Sequence, residues 1–363
     1  MKLYFITTGG GLGNQIMSYA LWLYLKRSGY RTMLYLRVNY LVRIFNIKDG
    51  LVKKNYFLDC FVNVLKRYGS CVRLFNRWFS RIGYIEYTSF FGLNVIDYPE
   101  WGNYKFVNEI LPELRMDLLF PEDSNQQNKS VLDMMRESDS VSIHVRRGDY
   151  QNSVRVILGD ICDKKYYEDA IEKVYSLLSK PVFFIFSDDI EWVKSNLNLD
   201  HPVFVDWNQG ENSFRDIQLM SYCKVNIIAN STFSLCASWL NVNTNPIRIV
   251  PSKWLNSYFD NLLIKYIPSD WIIINNKKPT ISIITSSILS ECSIKDILKQ
   301  RYSDFELILN DSGEVKIFDG RIKTGEINGR YIYNYTRSDS LKFRNRNYLW
   351  NWLSKIYADE LYG

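Results

Sequence analysis

Between residues 140 and 250, stretches with strand and helix character alternate without a break, and this constrains the fold more than any other feature. Apolar runs at 140–145, 182–187, 203–205, 225–229 and 247–250 have strand character. Residues 165–178, 190–197, 214–222 and 232–240 carry helical spacing between them. Parallel strands can be joined only by crossovers, so strand and helix in strict turn predict a doubly wound parallel sheet.

A second unit of the same kind opens the chain. Residues 3–7 are expected as a buried strand, Gly9-Gly10-Gly11-Leu12-Gly13 as a tight loop, 15–27 as a helix and 32–36 as the next strand. That helix carries Ile16, Met17, Tyr19, Ala20, Leu21 and Leu23, apolar almost all round, which predicts burial. Two such sheets give an α/β protein with two domains facing a cleft, where two substrates can meet. The length of 363 residues and a hydrophobic content of 47% are enough for two full cores. Residues 42–120 are irregular, aromatic and basic, and Asn275-Asn276-Lys277-Lys278-Pro279 has the chemistry of a linker.

The net charge of +6 suits an anionic small ligand or an anionic membrane surface. No dense Lys/Arg block or nucleic-acid module is present, so nucleic acid is not expected as a partner. The six cysteines are scattered with no CxxC pair, which argues against zinc and against a disulfide framework. No apolar run approaches the roughly 18–20 residues a membrane helix needs. The apolar opening is too short for a signal peptide. The expected location is the cytoplasm, with peripheral contact at the inner face of the membrane compatible with the charge.

Four motifs fall where strands end. Gly10-Gly11-Leu12-Gly13-Asn14-Gln15 lets backbone approach a phosphate or sugar at a helix start; its plain alternative is a tight turn with Asn14 as the cap. It is a poor dinucleotide fingerprint, because the third glycine is missing and no acidic residue ends the next strand. This disfavours a nicotinamide oxidoreductase.

His144-Val145-Arg146-Arg147-Gly148-Asp149 places two arginines where negative charge on a leaving diphosphate could be stabilised. The chain contains no Asp-x-Asp, the usual metal–diphosphate bridge, so an arginine-based design is coherent. Phe186-Ser187-Asp188-Asp189 offers a carboxylate to a base or ribose, or equally a cap to the helix at Ile190. Asn230-Ser231-Thr232-Phe233-Ser234 is a phosphate site at a helix start, or a plain hydroxyl cap with a core Phe.

In this order, with Gly102–Phe106 and 110–115, Gly159–Cys162 before Tyr166-Tyr167, and 216–221 ahead of Asn230, the motifs resemble glycosyltransferase family 11, the α-1,2-fucosyltransferases, over residues 1–270. The resemblance implies a GT-B architecture, GDP-fucose as donor, a galactose-terminated glycan as acceptor, inversion at the anomeric carbon, and no metal cofactor. It implies that Arg146 meets the diphosphate and that Asn14 lies near the fucose–phosphate bond, both catalytic. Gly11, Gly13, His144, Arg147, Asp188, Ser231, Thr232 and Phe233 would line the donor pocket. Asp149 is expected to be structural, and no general base is named. The acceptor surface is expected within 53–120, in a domain of residues 1–130, with GDP bound by residues 131–274.

The chain departs from the family pattern at three places. Leu235-Cys236 stands where two tryptophans are usual, and Val225 and Leu158 each stand where a histidine is usual. These departures weigh on the acceptor side more than on the donor, and a non-catalytic sugar-nucleotide or glycan binder of the same fold is the rival reading. Residues 280–363 resemble the opening βαβ of a family 2 glycosyltransferase without its Pro-x-Tyr-Asn segment or an Asp-x-Asp. An accessory lobe is expected there, too small to bury a core alone and therefore packed on the preceding domain or on another chain.

Overall fold

The computed structural model describes residues 3–47, 51–53, 56, 58, 60, 80–82, 85–90, 93–97, 104–256, 267–275, 281–285, 291–298, 305–309, 322–323, 331–335, 339–343, 345 and 348–362. The first sheet is built from β1 (Leu3–Thr8), α1 (Leu12–Arg27), β2 (Arg31–Leu36), α2 (Tyr40–Ile44), β3 (Leu51–Lys53), β4 (Ser80–Ile82), β5 (Ile85–Phe90) and β6 (Leu93–Asp97), followed by α3 (Tyr104–Asp117). Its order is β3-β2-β1-β6-β5-β4, parallel from β3 to β6 and antiparallel beyond. The segment expected to be irregular therefore supplies four strands and a helix. Strands as short as β3 and β4, three residues each, leave no period to detect.

Helix α1 begins at Leu12, three residues earlier than expected, with Gly11 as its cap residue. Asn14 thus lies inside the first turn rather than at the cap, and its side chain is available to a partner outside the helix.

The second sheet follows α4 (Gln126–Glu137) with β7 (Asp139–Val145), α5 (Arg155–Leu158), α6 (Lys164–Leu177), β8 (Pro181–Ser187), α7 (Ile190–Asn196), β9 (Val203–Phe204), α8 (Phe214–Met220), β10 (Val225–Ile227), α9 (Thr232–Trp239), β11 (Ile247–Pro251) and β12 (Ile272–Ile274). The order β12-β11-β10-β7-β8-β9 is parallel throughout, and the expected elements lie within two residues of those observed. Helix α4 was not anticipated. It buries only Asn128, Val131 and Met135, a stripe too thin to stand out in a polar sequence, and it is capped by Asn125, whose side chain accepts from Gln127 N and Asn128 N. It packs on β7, so the boundary expected between 130 and 131 falls inside a helix of the second lobe.

The two lobes, one on a mixed and one on a parallel sheet, form a GT-B arrangement, and one buried cluster runs through both. Helix α1 packs on both α3 and α9, and Ile16, Met17 and Ala20 join Leu235, Cys236 and Trp239 in a single buried cluster. A Cβ on Gly13 would stand 2.7 Å from the carbonyl carbon and oxygen of Thr232. The Cys236 thiol lies 3.3 Å from the carbonyl oxygen of Gly13. Small groups on both helices permit this approach, and the Leu235-Cys236 departure lies buried in the seam.

A third, four-stranded parallel sheet closes the chain: β13 (Ile281–Thr285), α10 (Glu291–Leu298), β14 (Phe305–Leu309), β15 (Ile322–Lys323), β16 (Tyr331–Tyr335), α11 (Ser340–Phe343) and α12 (Tyr348–Tyr362), in the order β15-β14-β13-β16. It is larger than the single βαβ unit expected and has its own core around Ile283, Ile297, Leu307 and Phe343. Val156 of α5 is buried in that core, and α12 lies against α5, so the lobe packs on the preceding domain.

Candidate active-site cleft

The carboxyl ends of β1, β7, β8 and β9 and the N-terminus of α9 converge on a cleft of about 1110 Å³ between the first two lobes. Such a crevice, outside the carboxyl ends of parallel strands, is where ligands bind in doubly wound folds. The glycine loop enters it with Gly10 at φ +70°, and a side chain there would also meet the Asn14 amide nitrogen at 2.6 Å. Buried Gln15 fastens the loop: its Nε2 donates to Gly10 O at 3.2 Å and its Oε1 accepts from Leu41 N at 3.0 Å. With the turn fixed, Asn14 faces the second lobe, and its Oδ1 accepts from Thr232 Oγ1 at 2.9 Å.

Arg146 follows β7 and is held between two carboxylates. Its Nη1 lies 2.8 Å from Asp188 Oδ2 and its Nη2 lies 2.7 Å from Asp149 Oδ1. The other Asp188 oxygen accepts from Arg147 N at 2.8 Å. A Cβ on Gly148 would stand 2.7 Å from Asp188 Oδ2, so glycine is what lets this carboxylate seat itself. Asp188 thus spends both oxygens on the arginine segment, and Asp149 pairs with Arg146. The cap of α7 is neither Ser187 nor Asp188 but Asp189, which accepts from Trp192 N at 3.1 Å. Arg147 diverges from the expected set: it pairs with Asp189 at 2.9 Å, lies 4.3 Å over the Trp192 ring, and lines a separate 260 Å³ cavity instead of the cleft.

His144 is buried, with Nδ1 2.9 Å from Ser234 Oγ. Burial first, and then the Arg146 charge, lower its pKa to about 4, so the ring is neutral at pH 7. Its ring centroid lies 5.5 Å from that of Phe233. Ser231 caps α9 by accepting from Phe233 N at 3.3 Å, and the helix opens into the cleft at Thr232. Gly11, Gly13, Asn14, His144, Arg146, Asp188, Ser231, Thr232 and Phe233 all line the same cleft.

The two ends of the cleft differ. At the β8–β9 end, Ser187, Asp206, Asn208 and Asp216 present polar groups. At the other end the lining includes Tyr150, Val154 and Leu158, and the Tyr150 hydroxyl donates to Asn230 O at 3.1 Å. The first lobe adds Tyr40, Arg43 and Ile44, and Arg43 forms an ion pair with Glu211 of the second lobe. None of the described residues between 53 and 120, where the acceptor surface was expected, lines the cleft; much of that stretch, Gly102 and Asn103 included, lies outside the described residues.

Asp216 is a site residue that the motifs did not single out. Burial raises its pKa to about 7, although Asn208 Nδ2 donates to its Oδ1 at 2.9 Å. Asn208 in turn exchanges hydrogen bonds of 2.9 and 3.0 Å with Asn128 of α4. The carboxyl belongs to the block 216–221 that carries the family resemblance, but its environment comes from a helix 80 residues before Asn208, which no local pattern exposes. Among the described residues, no group of three or more His, Cys, Asp or Glu side chains is placed to hold a metal ion. No helix among them is long and apolar enough to cross a membrane.

Compared with known proteins, residues 3–275 match Glycosyl transferase family 11. An alpha-1,2-colitosyltransferase of Escherichia coli is 37% identical over 169 residues, covering 44% of this chain and 57% of that protein. The O-antigen biosynthesis glycosyltransferase WbnK of Escherichia coli is 29% identical over 283 residues, 68% of this chain and 92% of that protein. Galactoside 2-alpha-L-fucosyltransferase SEC1 of Bos taurus is 35% identical over 111 residues, 29% of each chain. Among solved structures, NodZ alpha-1,6-fucosyltransferase soaked with GDP-fucose aligns at 15% identity and a TM-score of 0.39, over 66% of this chain and 93% of that one.

Proposed function

The chain belongs to glycosyl transferase family 11, and on that footing we propose that it transfers L-fucose, with inversion, from GDP-β-L-fucose to the 2-hydroxyl of a terminal galactose on a surface glycan. One observation carries the reading: Arg146, fixed by Asp149 and Asp188, shares a cleft with Asn14 and the open N-terminus of α9. A diphosphate seated there meets a guanidinium with N–H donors to spare and a positive helix end. Negative charge grows on the leaving diphosphate as the sugar–oxygen bond breaks. A positive charge held rigidly there stabilises the transition state more than the ground state. The reaction so read needs no metal.

The nucleoside fits the polar β8–β9 end, where Asp216 is a carboxyl not already spent on an arginine and can accept from a base N–H. Asn14, tied to Thr232, stands where the sugar–phosphate bond would lie. Work at the inner face of the membrane suits the basic surface charge. Donor choice has a second reading, because one relative is a colitosyltransferase: colitose is fucose without its 3-hydroxyl, and the same cleft would take GDP-colitose.

The test is nucleotide release from GDP-fucose, GDP-mannose, GDP-colitose and UDP-galactose in EDTA, with and without lactose. Lactose-stimulated release of GDP from GDP-fucose supports the reading. Release of UDP, or no release from any donor, overturns it, and preference for GDP-colitose selects the second reading.

A further inference from the structure

The short helix α5 has two faces with two different partners. Val154 and Leu158 are four residues apart, on one face of a helical turn, and both line the cleft. Val156 lies between them on the opposite face and is buried in the core of the C-terminal lobe. A four-residue helix has no stability of its own, so its position is set by what it packs on.

The second lobe holds α5 through its backbone. Asn230 Nδ2 donates to Leu158 O at 3.0 Å, Asn256 N donates to Ile157 O at 2.7 Å, and Asn256 Nδ2 donates to Gly159 O at 2.9 Å. The C-terminal lobe supplies the apolar side, with α12 against α5 and Val156 in the same cluster as Ile281, Ile283 and Leu353. Asn230, just past β10, holds Leu158, and β10 flanks β7 on the side opposite β8 and β9, so this wall stands at the end of the cleft away from the polar β8–β9 groups. With the nucleoside at the polar end, the transferred sugar and its acceptor occupy this one. The apolar wall and the Tyr150 ring suit the C–H faces of a deoxyhexose and a galactoside.

We propose that the C-terminal lobe, acting through Val156, positions the Val154–Leu158 wall as the acceptor subsite. Val156 is a positioning residue here, since it touches neither substrate. The inference rests on the donor orientation proposed above.

The experiment uses the full chain and reads lactose binding by saturation-transfer NMR, with and without GDP, alongside GDP affinity by calorimetry. Leu158→Ala should weaken lactose binding by about fivefold or more, in line with the loss of methyl groups from an apolar pocket, and Val156→Ala should weaken it by about as much through displacement of the wall. GDP affinity should stay within about twofold, and Val156→Ile should behave as wild type. Unchanged lactose binding in Val156→Ala overturns the proposal. So does a parallel loss of GDP affinity, which would mark a general loosening of the fold. A wild type that binds no GDP refutes the donor reading instead, and the lactose comparison without GDP still decides the role of Val156.

Discussion

Thr232 Oγ1 donates a hydrogen bond to Asn14 Oδ1 across 2.9 Å, joining residues 218 apart in the chain. It ties the first turn of α1 to the first turn of α9, beside the close approach of Gly13 to Thr232. Asn14→Ala and Thr232→Val should each lower kcat, and the double variant should fall short of the summed losses, with a coupling of about 0.5–1.5 kcal/mol. Strict additivity in the cycle would mean that the bond does not organise the site.

Gly13→Ala should destabilise the protein by roughly 1–3 kcal/mol, because the new methyl meets Thr232 backbone at 2.7 Å and backbone cannot swing aside. The measurement is the denaturation midpoint. Gly11→Ala is the control, since a Cβ there meets nothing within 4 Å. Equal stabilities of the two variants would contradict the tight seam.

Arg146→Ala should cut kcat by about 100-fold or more while the circular dichroism spectrum is kept, by analogy with the loss of a single oxyanion donor. Arg146→Lys should recover little, because a lysine cannot span Asp149 and Asp188 as the fork does. Rates within a few-fold of wild type would remove Arg146 from the mechanism.

Asp216 makes stability depend on pH. Its folded pKa is raised from 3.8 to about 7, so the folded state favours the neutral carboxyl. The stability it contributes is complete below about pH 4 and is lost as pH rises through 7. Asp216→Asn keeps an acceptor for Asn208 and removes that loss. Its melting temperature should match wild type at pH 4 and exceed it at pH 8, by an amount corresponding to at most about 4 kcal/mol. A gap that is the same at both pH values would show that the carboxyl is not desolvated.

Turnover should survive EDTA, because in the proposed donor orientation the positive charge facing the diphosphate comes from Arg146 and the α9 N-terminus. Loss of activity on chelation, restored by Mn²⁺ or Mg²⁺, would overturn this expectation.

Sequence alone determined the doubly wound second lobe and the strand–glycine–helix opening. Each strand there is flanked by a helix of distinct period, and local pattern is enough to place both. It also marked Gly11, Gly13, Asn14, His144, Arg146, Asp188, Ser231, Thr232 and Phe233, which fall at the ends of those elements and line one cleft. Tertiary structure decided what each of them faces. Arg147 is adjacent to Arg146 in sequence, yet it turns to Asp189 and Trp192, because successive side chains leaving a strand point to opposite sides. The raised pKa of Asp216 comes from burial, against the opposing hydrogen bond from Asn208, and burial is a property of packing that no neighbouring residue announces. The same holds for Val156: its side chain meets a sheet more than 120 residues further along, and only the folded chain brings them together.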